Sequence, residues 1–480
     1  MLMIRDRFRW VYCQLDTLSR CFPSSIRSVL SELPATLDDT YERTLQGIPK
    51  EKREHAHRLF QCLVAAIRPL RVEELAEVFA IGFDADAALK VVEGWRPENA
   101  EDAVLSACST LVSVIDDETC KIVQFSHFSV KEFLTSDRLR TSDVTSIHLY
   151  HVPIDAAHTT LARACLAVLL QLDDKIDKKR LVKLPLAFYA AQYWVGHAQF
   201  KDVSSRIGDA MGRLFDAKRP HLAAWIWIHN VKWENKRTID DLEESPPSLE
   251  GTPLYYAVCC GFTGFSRHLI VARQEDVNAS CGRYGSPLHA ASYKGRLDTA
   301  RLLLDHGADV NSNKGGTPPL WRAYQGRRLD SMRLLLAHGA DVDMQGGDFI
   351  GTILHHASSM GRTEVVQLLL QYKADVHAKG FMDQTPLHLA AMYGSAKVVE
   401  LLLEYGADMD TKSGISSSAL EFAESLGRHD IVQLMLEHRA KNGEWKAWRV
   451  LDNCTHLPEC SSLFTSSPRY FTDKLKLRRA

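Results

Sequence analysis

The chain has 480 residues with 58 basic and 60 acidic side chains, a formal net charge of -2. That length allows roughly two or three domains with cores of their own, and the balanced charge gives no global pull toward nucleic acid or an anionic membrane. The start, Met1-Leu2-Met3-Ile4-Arg5-Asp6, lacks the apolar stretch of a secretion signal; the best apolar runs, 161–172 and 184–195, are interrupted by Arg163 and Gln192 and fall short of the ~20 residues a membrane span needs. Eleven cysteines, mostly in helical context, look like reduced thiols, so a cytoplasmic address is expected, with the nucleus as the other option. Cys454, His456 and Cys460 make half a metal site at best, and no cofactor or metal is expected.

In chain order, residues 26–33, 40–47 and 51–67 pattern as amphipathic helices, punctuated by Pro34, Pro49 and Pro69. Further helices are predicted over Val72–Phe79 and 101–110. Two short strands follow, 111–115 and 121–125, joined by the acidic turn Asp116-Asp117-Glu118, and then a helix over 128–134. Helices leading into a β-hairpin make a winged-helix arrangement, placed at 35–140. Many such domains read DNA, but here the groove helix would carry Glu98, Glu101 and Asp102 and the wing Asp116, Asp117 and Glu118. Phosphate contacts need the opposite charge, which argues against nucleic acid as a partner. Residues 141–247 pattern as an all-helical connector, in which Trp194, Trp225, Trp227 and Trp233 offer large apolar area, and Glu243-Glu244-Ser245-Pro246-Pro247 is a linker.

From residue 248 the chain repeats itself. Leu254, Leu288, Leu320, Leu354, Leu387 and Leu420 occupy the same place in six copies, at a step of about 33 residues. Copies open as Ser286-Pro287-Leu288-His289-Ala290-Ala291 or Thr385-Pro386-Leu387-His388-Leu389-Ala390 and run on to a leucine triplet, such as Leu368 to Leu370, and toward Gly-Ala-Asp. This is the ankyrin signature, a turn and two helices per repeat. Ser or Thr caps the first helix; Gly295, Gly361, Gly394 and Gly427 suit the turn to the second, where positive φ is cheap for glycine. The first copy has Tyr255-Tyr256 and no triplet, and the last has Arg439 in place of glycine, as end repeats often depart from pattern. The array is placed at 248–440, followed by a polar tail, 441–480, expected to be disordered. A protein ligand is expected on the concave face, along loop tips and the exposed flank of the first helices. The side chains expected there are Tyr293, Trp321, Tyr324, Met360, Phe381, Met382, Met392 and Tyr393, with Phe349 and Ile350 in the longest loop.

Phe8-Arg9-Trp10, Cys13-Gln14-Leu15-Asp16, the run Leu33 to Tyr41, Ile67-Arg68-Pro69-Leu70, Ser126 to Leu134 and Ala223 to Trp227 resemble fungal NACHT-type STAND proteins, in which ankyrin repeats commonly form the C-terminal sensor. The resemblance implies that 1–34 is the tail of a NACHT module. It also implies that His127 is a remnant of a nucleotide sensor, although a capping role at the strand–helix junction is favoured. The family's engine, a G-x-x-x-x-G-K-[ST] loop, occurs nowhere in these residues, so the chain lacks the P-loop NTPase core. The expected fold is mostly α: winged helix and helical connector, then an ankyrin solenoid. The expected function is non-enzymatic protein–protein interaction and sensing. One alternative is a truncated or split nucleotide switch that needs a NACHT-bearing partner; the other, a winged-helix DNA regulator, is disfavoured.

Overall fold

The structure is a computed structural model that describes residues 36–83, 89–108, 110–117, 120–141, 145–173, 175–229, 246, 248–346, 351–393 and 395–441. The helix expected over 26–33, the segment 1–34, Glu118, Trp233, Phe349, Ile350, Gly394, the Cys454–Cys460 stretch and the tail beyond Lys441 lie outside them. The chain forms two compact units. One comprises Met1–Ala291 with Asp298–Ala308, the other Ser292–Leu297 with Asp309–Ala480.

The first unit opens with α1 (Leu37–Gln46), whose N-terminus is capped by the Thr36 hydroxyl accepting from the Asp39 amide at 3.1 Å. Next come α2 (Arg53–Ala65), β1 (Leu70–Arg71) and α3 (Val72–Phe79). A small ribbon follows, β2 (Ile81–Gly82) with β3 (Lys90–Val91), and then α4 (Ala100–Cys108), β4 (Val112–Asp117), β5 (Cys120–Phe125) and α5 (Phe128–Thr135). The sheet order β1-β5-β4 completes a winged-helix domain: β4 and β5 pair from Val112↔Phe125 to Asp117↔Cys120, and β1 joins through Leu70↔Val123. Neither β1 nor the β2–β3 ribbon is evident from the sequence, because two-residue strands are too short to show alternation. The core is apolar and closed, with Tyr41, Leu59, Phe60, Leu75, Val104 and Leu134 fully buried.

The connector packs directly on this domain. Helix α6 (Ile154–Leu169) lies against both α2 and α7 (Leu186–Ala198); α8 (Gly208–Leu214) and α9 (His221–His229) complete the layer. The first repeat, α10 (Pro253–Cys260) and α11 (Thr263–Val271), sits on the connector's far side. Trp194 of α7 meets Phe262 at 5.3 Å, Phe215 meets Phe265 at 5.2 Å, and Arg273 donates to the carbonyls of Gly212 and Phe215 at 3.0 and 3.4 Å. The irregular first repeat thus has its open flank covered by the connector instead of by polar substitution.

Two histidines give this unit an acid limit. Burial holds His197 at a pKa of about 3, with neighbouring His158 adding to the depression, and burial then Arg58 and His151 hold His57 at about 4. His197 joins Tyr189 Oη and His158 Nδ1, each at 2.9 Å. Both folded values lie below the unfolded value near 6.5, so the stability is complete above pH 6.5 and is lost as pH falls through 4 and then 3. At pH 5 the loss should be roughly 1–2 kcal/mol per histidine. Thermal melts of the full chain between pH 7.5 and 5 should show it, and His197→Gln should flatten that slope.

The second unit carries further helix pairs of the same kind. The second pair, α12 (Pro287–Lys294) and α13 (Leu297–Asp305), has residues assigned to each unit. Then come α14 (Pro319–Gln325) with α15 (Leu329–Ala337), α16 (Ile353–Ser359) with α17 (Thr363–Gln371), α18 (Pro386–Tyr393) with α19 (Ala396–Glu404), and α20 (Ala419–Ser425) with α21 (His429–Lys441). Leu320, Leu354 and Leu387 are buried, as are most of the triplet leucines, including Leu335, Leu369 and Leu402, each full burial being worth about 1.5–3 kcal/mol.

Candidate functional site

The opening tetrapeptide explains how the fourth and fifth repeats each hold the next one. Thr352 Oγ1 and His355 Nδ1 are 2.9 Å apart, and the other ring nitrogen of His355 meets the Gln384 carbonyl at 3.1 Å, at the start of the following repeat. Thr385, His388 and the Ser417 carbonyl repeat this arrangement at 2.8 and 3.2 Å. Burial pushes both imidazoles toward the neutral form, which suits a ring that donates at one nitrogen and accepts at the other. These histidines are structural ties.

That register decides where the expected ligand-facing residues point. Trp321 stands one place after Leu320, in the histidine position, and is 1% exposed; its indole N–H donates to the Met344 carbonyl at 2.9 Å. Tyr324 is 2% exposed, its hydroxyl 2.7 Å from His356 Nδ1. Both belong to inter-repeat packing and are nearly inaccessible, which corrects the expectation for these two. Tyr293 and Met392 are half-buried. Met360 and Tyr393 are each 62% exposed, Phe381 56% and Met382 50%.

Two rows emerge. Met360, Tyr393 and Leu426 stand at the same place in successive repeats, the C-terminal end of the first helix, and all are exposed. Met382 and Ile415 stand one repeat apart in the loops that precede α18 and α20, and are also exposed. Leu426 and Ile415 were missed by sequence reasoning; counting one repeat on from Tyr393 and Met382 identifies them. Exposed Met, aromatic and branched side chains in a repeated row supply the apolar centre that protein interfaces use.

On the winged helix, α4 contains no basic residue, and Lys121 on the wing is held by Glu101 at 2.6 Å. Phosphate oxygens approaching this face would meet Asp102, Asp116 and Asp117, all exposed. His127 is the N-cap of α5: Nδ1 accepts from the Ser129 amide at 3.3 Å and lies 2.6 Å from Ser129 Oγ, which in turn is 2.9 Å from Tyr41 Oη. Among the described residues no helix is long and apolar enough to cross a membrane, and no cluster of His, Cys, Asp or Glu is placed to hold a metal ion.

Two family models match this chain. The family model for ankyrin repeats matches in overlapping stretches, 229–314, 254–346, 312–380 and 354–444, and that for the GPI inositol-deacylase winged helix domain matches 23–145. A curated relative, azaphilone pigments biosynthesis cluster protein L of Monascus ruber, is 29% identical over 295 residues, covering 58% of this chain. The match spans 61% of that relative's length. Among solved structures, the ankyrin repeat domain of Bcl-3, a member of the IkappaB family, is 28% identical over 39% of this chain and 82% of its own, with a TM-score of 0.37. An ankyrin repeat domain from Acinetobacter baumannii AYE is 26% identical over 39% of this chain and 97% of its own, with a TM-score of 0.36. The chain carries ankyrin repeats joined to a winged helix of the GPI inositol-deacylase type.

Proposed function

We propose that this protein is a non-enzymatic binding module that holds a protein ligand on the concave face of its repeats, with the winged helix and connector as the body that carries the array. The observation that supports this most is the exposed row Met360, Tyr393 and Leu426, repeated in register and flanked by Phe381, Met382 and Ile415. Large apolar side chains kept in water at one place in successive repeats suit a surface that a ligand covers, and a fixed spacing suits a ligand that runs along the array. The test is a photo-crosslinking residue placed at position 393 or, as a control at the end of the second helix, at 372. A discrete, saturable protein adduct from 393, absent from 372 and abolished by Met360→Asp, is expected. Equal or absent labelling at both positions would sink the reading.

The winged helix also supports a second proposal, that the chain works with a NACHT module supplied by a partner. In that case His127 would contact nucleotide phosphate in the joint complex, and the chain would retain labelled ATP only when a NACHT-bearing protein is added.

A further inference from the structure

The turn between the two helices of a repeat has one position that is held left-handed in the five repeats where it lies among the described residues. Gly261, Gly295, Gly361 and Gly427 occupy it, with φ of 77°, 74°, 66° and 68°. In the third repeat Arg327 stands there, at φ 55°. Any side chain is disfavoured in that conformation, and an arginine has none of the local hydrogen bonding that lets Asn or Asp tolerate it. The glycine of this repeat has moved to 326, where a Cβ would collide with the Tyr293 carbonyl.

The displaced arginine lines a recess of about 410 Å³ together with Arg328, Arg362 and the apolar side chains of Leu329, Met332 and Val365. Among the described residues none of the three guanidiniums lies within 4.0 Å of a carboxylate, while Lys412 is paired with Glu421 at 2.7 Å and Arg439 with Asp410 in the same unit. Arg328 Nε donates to the Tyr293 carbonyl at 3.5 Å and the Arg362 guanidinium carbon lies 4.7 Å from the centre of the Tyr324 ring, contacts that hold the two guanidiniums in place through one atom or one face each. One carboxylate, Glu364, is also in the lining, so the recess carries a net charge of about +2.

We propose that this recess takes the phosphate of a phosphorylated side chain on the protein ligand. A phosphate monoester carries about -1.5 to -2 at pH 7 and offers three acceptor oxygens, which matches the net charge and the forked donors; a single carboxylate would leave positive charge uncompensated. The recess has the size of a small-ligand site, and its apolar floor suits the stem of the modified residue and its neighbour. Met360 lies two residues from Arg362, so an anchored chain continues onto the exposed row. This inference rests on the reading of the repeats as a ligand-binding face.

The experiment uses the full chain and three fluorescent peptide libraries, degenerate except for a central phosphoserine, serine or glutamate. The phosphoserine library should bind at least tenfold more tightly than either other, and inorganic phosphate should compete. Arg327→Gly restores the residue that the turn favours, so this variant should melt at a higher temperature and yet lose that preference. Equal binding of the three libraries, no binding of any, or unchanged preference in Arg327→Gly would each overturn the proposal. If the adduct from position 393 survives in Arg327→Gly while phosphoserine gives no advantage, the binding face stands and the phosphate site falls.

Discussion

Replacing Trp194 by alanine should destabilise the first unit by about 3–5 kcal/mol, the range for truncating a large buried aromatic. Trp194 is fully buried and sits at the junction of three elements, with ring centroids 5.2 Å from Trp225, 6.2 Å from Phe215 and 5.3 Å from Phe262. The first two belong to the connector region and the third to the first repeat, so the cavity would open where the array is carried. The indole N–H of Trp194 is buried without a hydrogen-bond partner, whereas that of Trp225 donates to the Ala191 carbonyl at 3.0 Å. Trp194→Phe should therefore recover most of the loss, because it keeps a ring and removes an unsatisfied donor. Trp225→Phe forfeits a made bond and should cost about 1 kcal/mol more than that. Urea titrations followed by circular dichroism measure all three. Hydrogen exchange should locate the Trp194→Ala effect in α10 and α11 and leave α16 to α19 unchanged; uniform acceleration everywhere would contradict a local junction.

The periodic features could be read before the structure, and the solitary ones could not. Six leucines at one step define the helix pairs, because each repeat must present the same face to the next. The wing strands followed from alternation around an acidic turn. What escaped was set by contacts distant in sequence. Trp321 and Tyr324 looked like ligand anchors on chemistry alone, yet Trp321 fills the slot of His355 and His388 and is drawn into the stack. Arg327 has Gly326 beside it, so the sequence of this turn still offers a glycine one place early. Nothing local to Phe262 or Arg273 indicates that the connector covers the first repeat, since that match depends on Trp194 and Phe215, far away in the chain. Sequence period reports what the repeats share, the exposed row included, and the arginine recess lies where one repeat departs from it.

Glu77 is the second position where one substitution should have a large effect. It lies on α3, inside the winged helix, and its carboxylate is nearly inaccessible. One oxygen accepts from Arg96 at 2.8 Å and the other from the Leu186 amide at 2.7 Å. That amide belongs to the first residue of α7, whose N-cap is Pro185 and has no side-chain cap, so a carboxylate from one domain closes the open end of a helix in the next. Burial raises the pKa of Glu77 despite the lowering influence of the Leu186 amide and Arg96, which means that desolvation outweighs the partners it has. Its removal would still be costly, because Glu77→Ala strands the Leu186 N–H in a dry interface and deprives Arg96 of its counter-charge. The expected loss is about 2–3 kcal/mol, chiefly the buried Leu186 amide left unpaired, since Arg96 is partly exposed and keeps access to water. Glu77→Gln keeps an acceptor for Leu186 but turns an amide toward the guanidinium, and should fall between alanine and the native residue. The readout that separates a cap from general packing is local: Glu77→Ala should speed hydrogen exchange first in the opening turn of α7, with α2 protected until the whole unit unfolds. Early loss of protection in α2 and α7 alike would mean that Glu77 supports the core of the unit and not the junction.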